Sequence, residues 1–175
     1  MHILLGVLGV VGVALFWLWR MRDAAGAARE VVDVADDLRA AVRRFGYNRK
    51  ANQNPLDGIE DPRLAASGIL AAFANMDGAL SRDEIDGIAG LCAGAFGCDA
   101  QEANQIGAYG RWLIQQSPAN MDEVIRRLAR NLIGSLDAAE KRELLSMVEQ
   151  VASIEGGGLS ETQQDSLERL ARQLG

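Results

Sequence analysis

The sequence predicts an all-α protein: one N-terminal transmembrane helix, an amphipathic stalk, and a bundle of about six helices in two related halves. Three observations carry this. Apolar residues recur at three- and four-residue spacing rather than in alternation. Aromatics are only 5% of the chain and prolines number three, so strand-type runs are nowhere concentrated. Ser or Asp followed three residues later by Glu or Gln stands ahead of four apolar runs, at Ser81, Asp99, Asp137 and Ser160. Such pairs satisfy the orphan N–H groups at a helix start.

The first element is the anchor, residues 1–22. Ile3 to Trp19 is uncharged and almost wholly apolar. Seventeen residues at ~1.5 Å each reach roughly 26 Å, enough for a bilayer core. Trp17 and Trp19 stand where an aromatic belt belongs, and Arg20 and Arg22 follow at once. No basic residue precedes the segment, so the positive-inside rule puts the N-terminus outside and the remainder in the cytoplasm. A secretory signal peptide is the competing reading, with Ala24-Ala25-Gly26-Ala27 as its cleavage site. The charges lie on the wrong side for it. Gly6, Gly9 and Gly12 recur every three residues, either as ordinary membrane-helix glycines or as a ridge for a second membrane helix.

Residues 23–60 follow as an amphipathic helix and a polar linker. Val31, Val34, Ala35, Leu38, Ala41, Val42 and Phe45 share one helical face, opposite Arg29, Asp33, Asp36, Asp37 and Arg43. From Gly46 to Glu60 the chain is rich in Asn, Asp, Gly and charge and offers little to bury.

The helical domain spans 61–175. Asp61-Pro62 opens it, since Asp caps and Pro suits the first helical position. Leu64, Ile69, Ala72 and Phe73 are the expected core of the first helix. Ile85, Ile88, Ala89, Cys92 and Phe96 serve the second, which Gly97 ends. Ile106, Tyr109, Gly110, Leu113 and Ile114 serve the third, and Ser117-Pro118 breaks the chain. Val124, Ile125, Leu128, Leu132 and Ile133 line the fourth. Leu144, Leu145, Val148, Val151 and Ala152 line the fifth, and Leu167, Leu170, Ala171 and Leu174 the sixth.

One turn motif recurs. Asn75-Met76-Asp77-Gly78-Ala79-Leu80-Ser81 with Glu84 joins an acid-Gly turn to a capped helix. Ile154-Glu155-Gly156 with Leu159-Ser160, Glu161 and Gln163 repeats it more loosely. The copies point to two related halves.

The net charge of −6 is unevenly spread. Residues 20–50 hold eight basic and five acidic side chains; residues 51–175 hold ten and nineteen. An acidic domain excludes nucleic acid as a partner, because phosphate binding needs a basic face. The basic excess beside the anchor suits the anionic headgroups of a lipid bilayer. Cys92 and Cys98 have neither zinc-ligand nor redox spacing and read as core residues. The one histidine is His2. Gly156-Gly157-Gly158 lacks the Lys-Ser/Thr of a phosphate loop. No nucleophile–base pair is available, and the chain reads as non-enzymatic. Arginine far outnumbers lysine, which occurs only as Lys50 and Lys141, and this suits a bacterial source.

With the paired turns and the closing Leu170-Ala171-Arg172-Gln173-Leu174-Gly175, residues 61–175 resemble a TerB-like domain, the tellurite-resistance helical fold. An anchor ahead of such a domain is similar to DjlA-type membrane-anchored co-chaperones. Those end in a J domain with His-Pro-Asp, which this chain lacks, so chaperone stimulation is not implied. The resemblance does imply a metal site on the acidic turns, at Asp77, Glu84, Glu155 and Glu161, for Ca²⁺ or Mg²⁺. The plain alternative is that these carboxylates form turns and cap helices. An EF-hand does not fit: with Gly78 at loop position six, position one falls on Phe73. No other cofactor is expected.

The functional expectation is a non-catalytic, membrane-anchored interaction module. It is an accessory or assembly subunit on the cytoplasmic face of a bacterial inner-membrane protein complex. The alternative is a divalent-cation-binding or tellurite/envelope-stress response module.

Overall fold

The computed structural model describes residues 54–116 and 120–175. The anchor with Gly6, Gly9, Gly12, Trp17, Trp19, Arg20 and Arg22, the stalk, most of the linker and Ser117-Pro118 lie outside the described residues. Within them the chain forms six α-helices and no strand: α1 Pro62–Ala74, α2 Arg82–Phe96, α3 Ala100–Gln115, α4 Met121–Leu132, α5 Ala138–Ala152 and α6 Glu161–Leu174.

α1 is the hub. Every residue from Leu64 to Ala74 is buried, and α2, α3, α4 and α5 all pack on it. A helix apolar all round belongs inside a bundle. Its composition makes close packing possible. A Cβ on Gly68 would stand 2.7 Å from Leu128 Cδ1 and 3.0 Å from Leu113 Cδ1. Across the α1–α3 crossing, a Cβ on Gly110 would stand 2.6 Å from the Ser67 carbonyl oxygen. Ser67 Oγ, fully buried, lies 3.0 Å from both the Leu64 and the Ile106 carbonyl oxygens. The one polar side chain of the buried stretch 64–74 is thereby satisfied across two helices.

Helix starts follow the expected chemistry. Asp61 caps α1 through a bond from Arg63 N at 2.9 Å, with Pro62 in the first turn. Full capping boxes form at Ser81–Glu84, Asp137–Glu140 and Ser160–Gln163. α4 starts at Asn120, whose Oδ1 accepts from Asp122 N at 2.9 Å. Gly97 closes α2 at φ 60°, a left-handed conformation that suits glycine.

Four expectations need correction. Asp99 accepts from Glu102 N at 2.8 Å, but Glu102 Oε1 reaches Arg63 Nη1 at 3.1 Å, so its carboxylate ties α3 to α1. Ile133 is not on the buried face of α4; it is the C-cap residue and 47% exposed, because the helix ends one residue earlier. Ile85 is only half-buried, outside the core cluster. The linker's last residues are built into the domain: Leu56 is buried, and its carbonyl accepts from Asn131 Nδ2 at 2.9 Å.

Candidate functional site

The two acid-Gly turns meet in space. Ser160 Oγ, at the cap of α6, lies 3.2 Å from Asp77 Oδ1 in the first turn. Local chemistry shapes both turns. Gly78, Gly156 and Gly158 hold φ values of 148°, 85° and 68°, which a side chain would strain. Each turn then delivers a serine cap.

Below the turns a buried side chain joins α6 to α1. Gln163 Oε1 accepts from Ser160 N at 3.0 Å, completing the α6 capping box. Its Nε2 donates to the Phe73 carbonyl at 3.2 Å, in the last turn of α1. Gln163 is 2% exposed. α2 uses Glu84 for its own box, with Oε2 accepting from Ser81 N at 2.8 Å. A carboxylate suffices there because one acceptor is all that position needs. The second position needs an acceptor and a donor, which an amide supplies and a carboxylate does not. The sequence marked this Glu-to-Gln difference but gave no reason for it.

The four candidate carboxylates do not assemble into a ligand set. Asp77 faces Ser160, and Glu84 is committed to the Ser81 backbone. Glu155 and Glu161 are exposed, the latter in the first turn of α6, where it meets the positive end of the helix dipole. Among the described residues, no group of three or more His, Cys, Asp or Glu side chains is placed to hold a metal ion. The donor set therefore does not fit the Ca²⁺ or Mg²⁺ site that the resemblance implies.

The thiols are quiet. Burial pushes Cys92 up to about 12. Burial and the nearby Glu102 also raise Cys98, whose Sγ lies 3.7 Å from the Cys92 carbonyl. Both stay protonated at neutral pH, and the thiolate is the nucleophilic form.

A second polar cluster escaped the sequence reading. Asp122, in the first turn of α4, accepts from Ser166 Oγ of α6 and from Arg169 Nη2 at 3.0 Å. With Arg126 and Gln173 these line a cleft of about 280 Å³. The sequence signal for Asp122 was only an acid at a helix start; its partners come from a helix more than forty residues away.

Neither the curated proteins nor the solved structures contain a match to the chain. The family described as tellurite resistance protein TerB matches residues 63–175, the whole six-helix bundle apart from its first residue. The chain, with its paired acid-Gly turns and α1 hub, belongs to the TerB family.

Proposed function

We propose that this chain is a non-catalytic interaction module, tethered to the bacterial inner membrane and serving as an accessory or assembly subunit of a membrane protein complex. The observation that carries the reading is how the turn polar groups are used. Asp77, Glu84, Ser81, Ser160 and Gln163 are all engaged in caps or in joining the two halves. Groups so engaged hold architecture rather than a reacting centre, and the outer surface of the bundle is left to do the work. The apolar Ile3–Trp19 segment followed by Arg20 and Arg22 supports the tether and the cytoplasmic side.

The test is extraction of the C-terminally tagged full chain in mild detergent, followed by mass spectrometry of stoichiometric partners. A defined membrane complex is expected, and removal of residues 1–22 is expected to release the chain from it. A chain that purifies alone would overturn the reading.

Family membership favours a second reading, a tellurite or envelope-stress response module. It predicts tellurite sensitivity on deletion of the gene, with resistance restored by the full chain. Its cation-binding form requires the turns to rearrange, since the described residues bring no three of the candidate carboxylates together as ligands.

A further inference from the structure

α2 carries glycines that the fold does not require. Gly90 and Gly94 lie in the helix interior, at helical rather than positive φ. Among the described residues, a Cβ on either would meet no atom within 4 Å. Glycine in a helix interior is less stable than alanine. At Gly68 and Gly110 a neighbouring element explains the missing side chain. At Gly90 and Gly94 nothing among the described residues does.

Gly90 opens onto a groove. Gly87, Gly90 and Leu91 of α2 form one wall, and Ser146, Glu149, Gln150 and Ser153 of α5 the other. Ile154 closes one end, its Cδ1 2.4 Å from where a Gly87 Cβ would stand. The groove holds about 560 Å³ and its lining is mostly apolar. Its rim is acidic. Glu149 lines it directly. Asp83 and Asp86 stand one turn before Gly87 and Gly90 on the same helical face, and Glu155 follows Ile154. All four are exposed. Arg142, one turn before Ser146, is the cation on the α5 side.

We infer that this α2–α5 groove docks a basic amphipathic helix of a partner protein. The inference rests on the interaction-module reading and names the chemistry of what that module binds. Glycines without side chains let a helix backbone approach closely. Leu91 and Ile154 receive an apolar stripe of the i, i+3, i+4, i+7 kind. The carboxylates on both sides meet flanking Lys or Arg, which orients the helix and speeds its encounter.

The test uses the full chain in zwitterionic nanodiscs, with empty nanodiscs as blank. The probe is a labelled eighteen-residue amphipathic peptide of Leu, Ala and Lys, followed by fluorescence anisotropy. A second peptide carries Glu in place of each Lys. The Lys peptide is expected to bind and the Glu peptide not to. Gly90→Trp, which fills open space, is expected to weaken binding about tenfold or more while leaving the melting midpoint at or above wild type. Asp86→Lys/Glu149→Lys is expected to weaken it similarly and to remove its salt dependence, and it decides the matter if Gly90→Trp lowers the midpoint. Equal binding of both peptides, or binding unaffected by these variants, overturns the inference. So does self-association of the chain that Gly90→Trp abolishes, which would assign the groove to a second copy. A stoichiometric complex that co-purifies equally with Gly90→Trp removes the groove while leaving the interaction-module reading standing; a chain that purifies alone removes both.

Discussion

The Gln163 side chain donates to the Phe73 carbonyl at 3.2 Å, ninety residues away in sequence, while its oxygen accepts from Ser160 N in its own capping box. One amide thus fastens the start of α6 to the end of α1. Gln163→Glu removes the donor and sets a carboxylate against a carbonyl in a buried site. The expected loss is about 2–4 kcal/mol at pH 7, read from urea denaturation. Part of it should return near pH 4, where the carboxyl protonates and regains a donor. A variant as stable as wild type at pH 7 would show the bond to be dispensable.

Helical glycines of the bundle tolerate a methyl group at one position and not at another. Gly110→Ala drives a Cβ into the Ser67 backbone, where no flexible side chain gives way. It should cost about 3 kcal/mol or prevent folding. Gly94→Ala meets open space and should stabilise by roughly 0.5–1 kcal/mol. Thermal melts of the two variants check both signs at once.

Asp77 accepts a bond from Ser160, and an asparagine oxygen does so equally well. Asp77→Asn should therefore shift stability by less than about 0.5 kcal/mol. Ser160→Ala, which removes the α6 cap as well, should cost about 1 kcal/mol. Neither melt should depend on added Ca²⁺ or Mg²⁺. A cation-dependent rise in the wild-type midpoint, absent in Asp77→Asn, would restore a metal site at the turns.

Two groups contribute a pH dependence to stability in opposite directions. Backbone N–H bonds from Glu140 and Ala139 hold the Asp137 carboxyl below its usual range. Its contribution is complete above the unfolded value of about 3.9 and is lost as pH falls through the lower folded value. Cys92 is raised to about 12, so the folded thiol stays protonated while the unfolded one ionises from about 8.5. Stability should fall with rising pH between those two values. Urea midpoints across acid and alkaline series test this, with Asp137→Asn flattening the first slope and Cys92→Ala the second. In native labelling at pH 8, half-buried Cys98 should react before buried Cys92.

What the sequence determined by itself was local. Helix starts at Asp61, Ser81, Asp99, Asp137 and Ser160 were legible because a cap is made within three residues of its own position. The buried faces were legible for the same reason, since helical periodicity is a property of one segment. The acid-Gly turns could be read as repeats, and the family with them. Tertiary structure decided everything that depends on what lies opposite. It made α1 the hub, turned Glu102 from its own cap toward Arg63, and placed Phe73 where Gln163 needed an acceptor. It left Ile133 in solvent beyond the last turn of α4 and drew Leu56 out of the linker into the core. It also gave four glycines in three helices opposite meanings: Gly68 and Gly110 sit against neighbours, and Gly90 and Gly94 face open space among the described residues. A residue's own sequence neighbourhood fixes its backbone conformation and its face of the helix. The partner across that face comes from a distant segment, and only packing brings the two together.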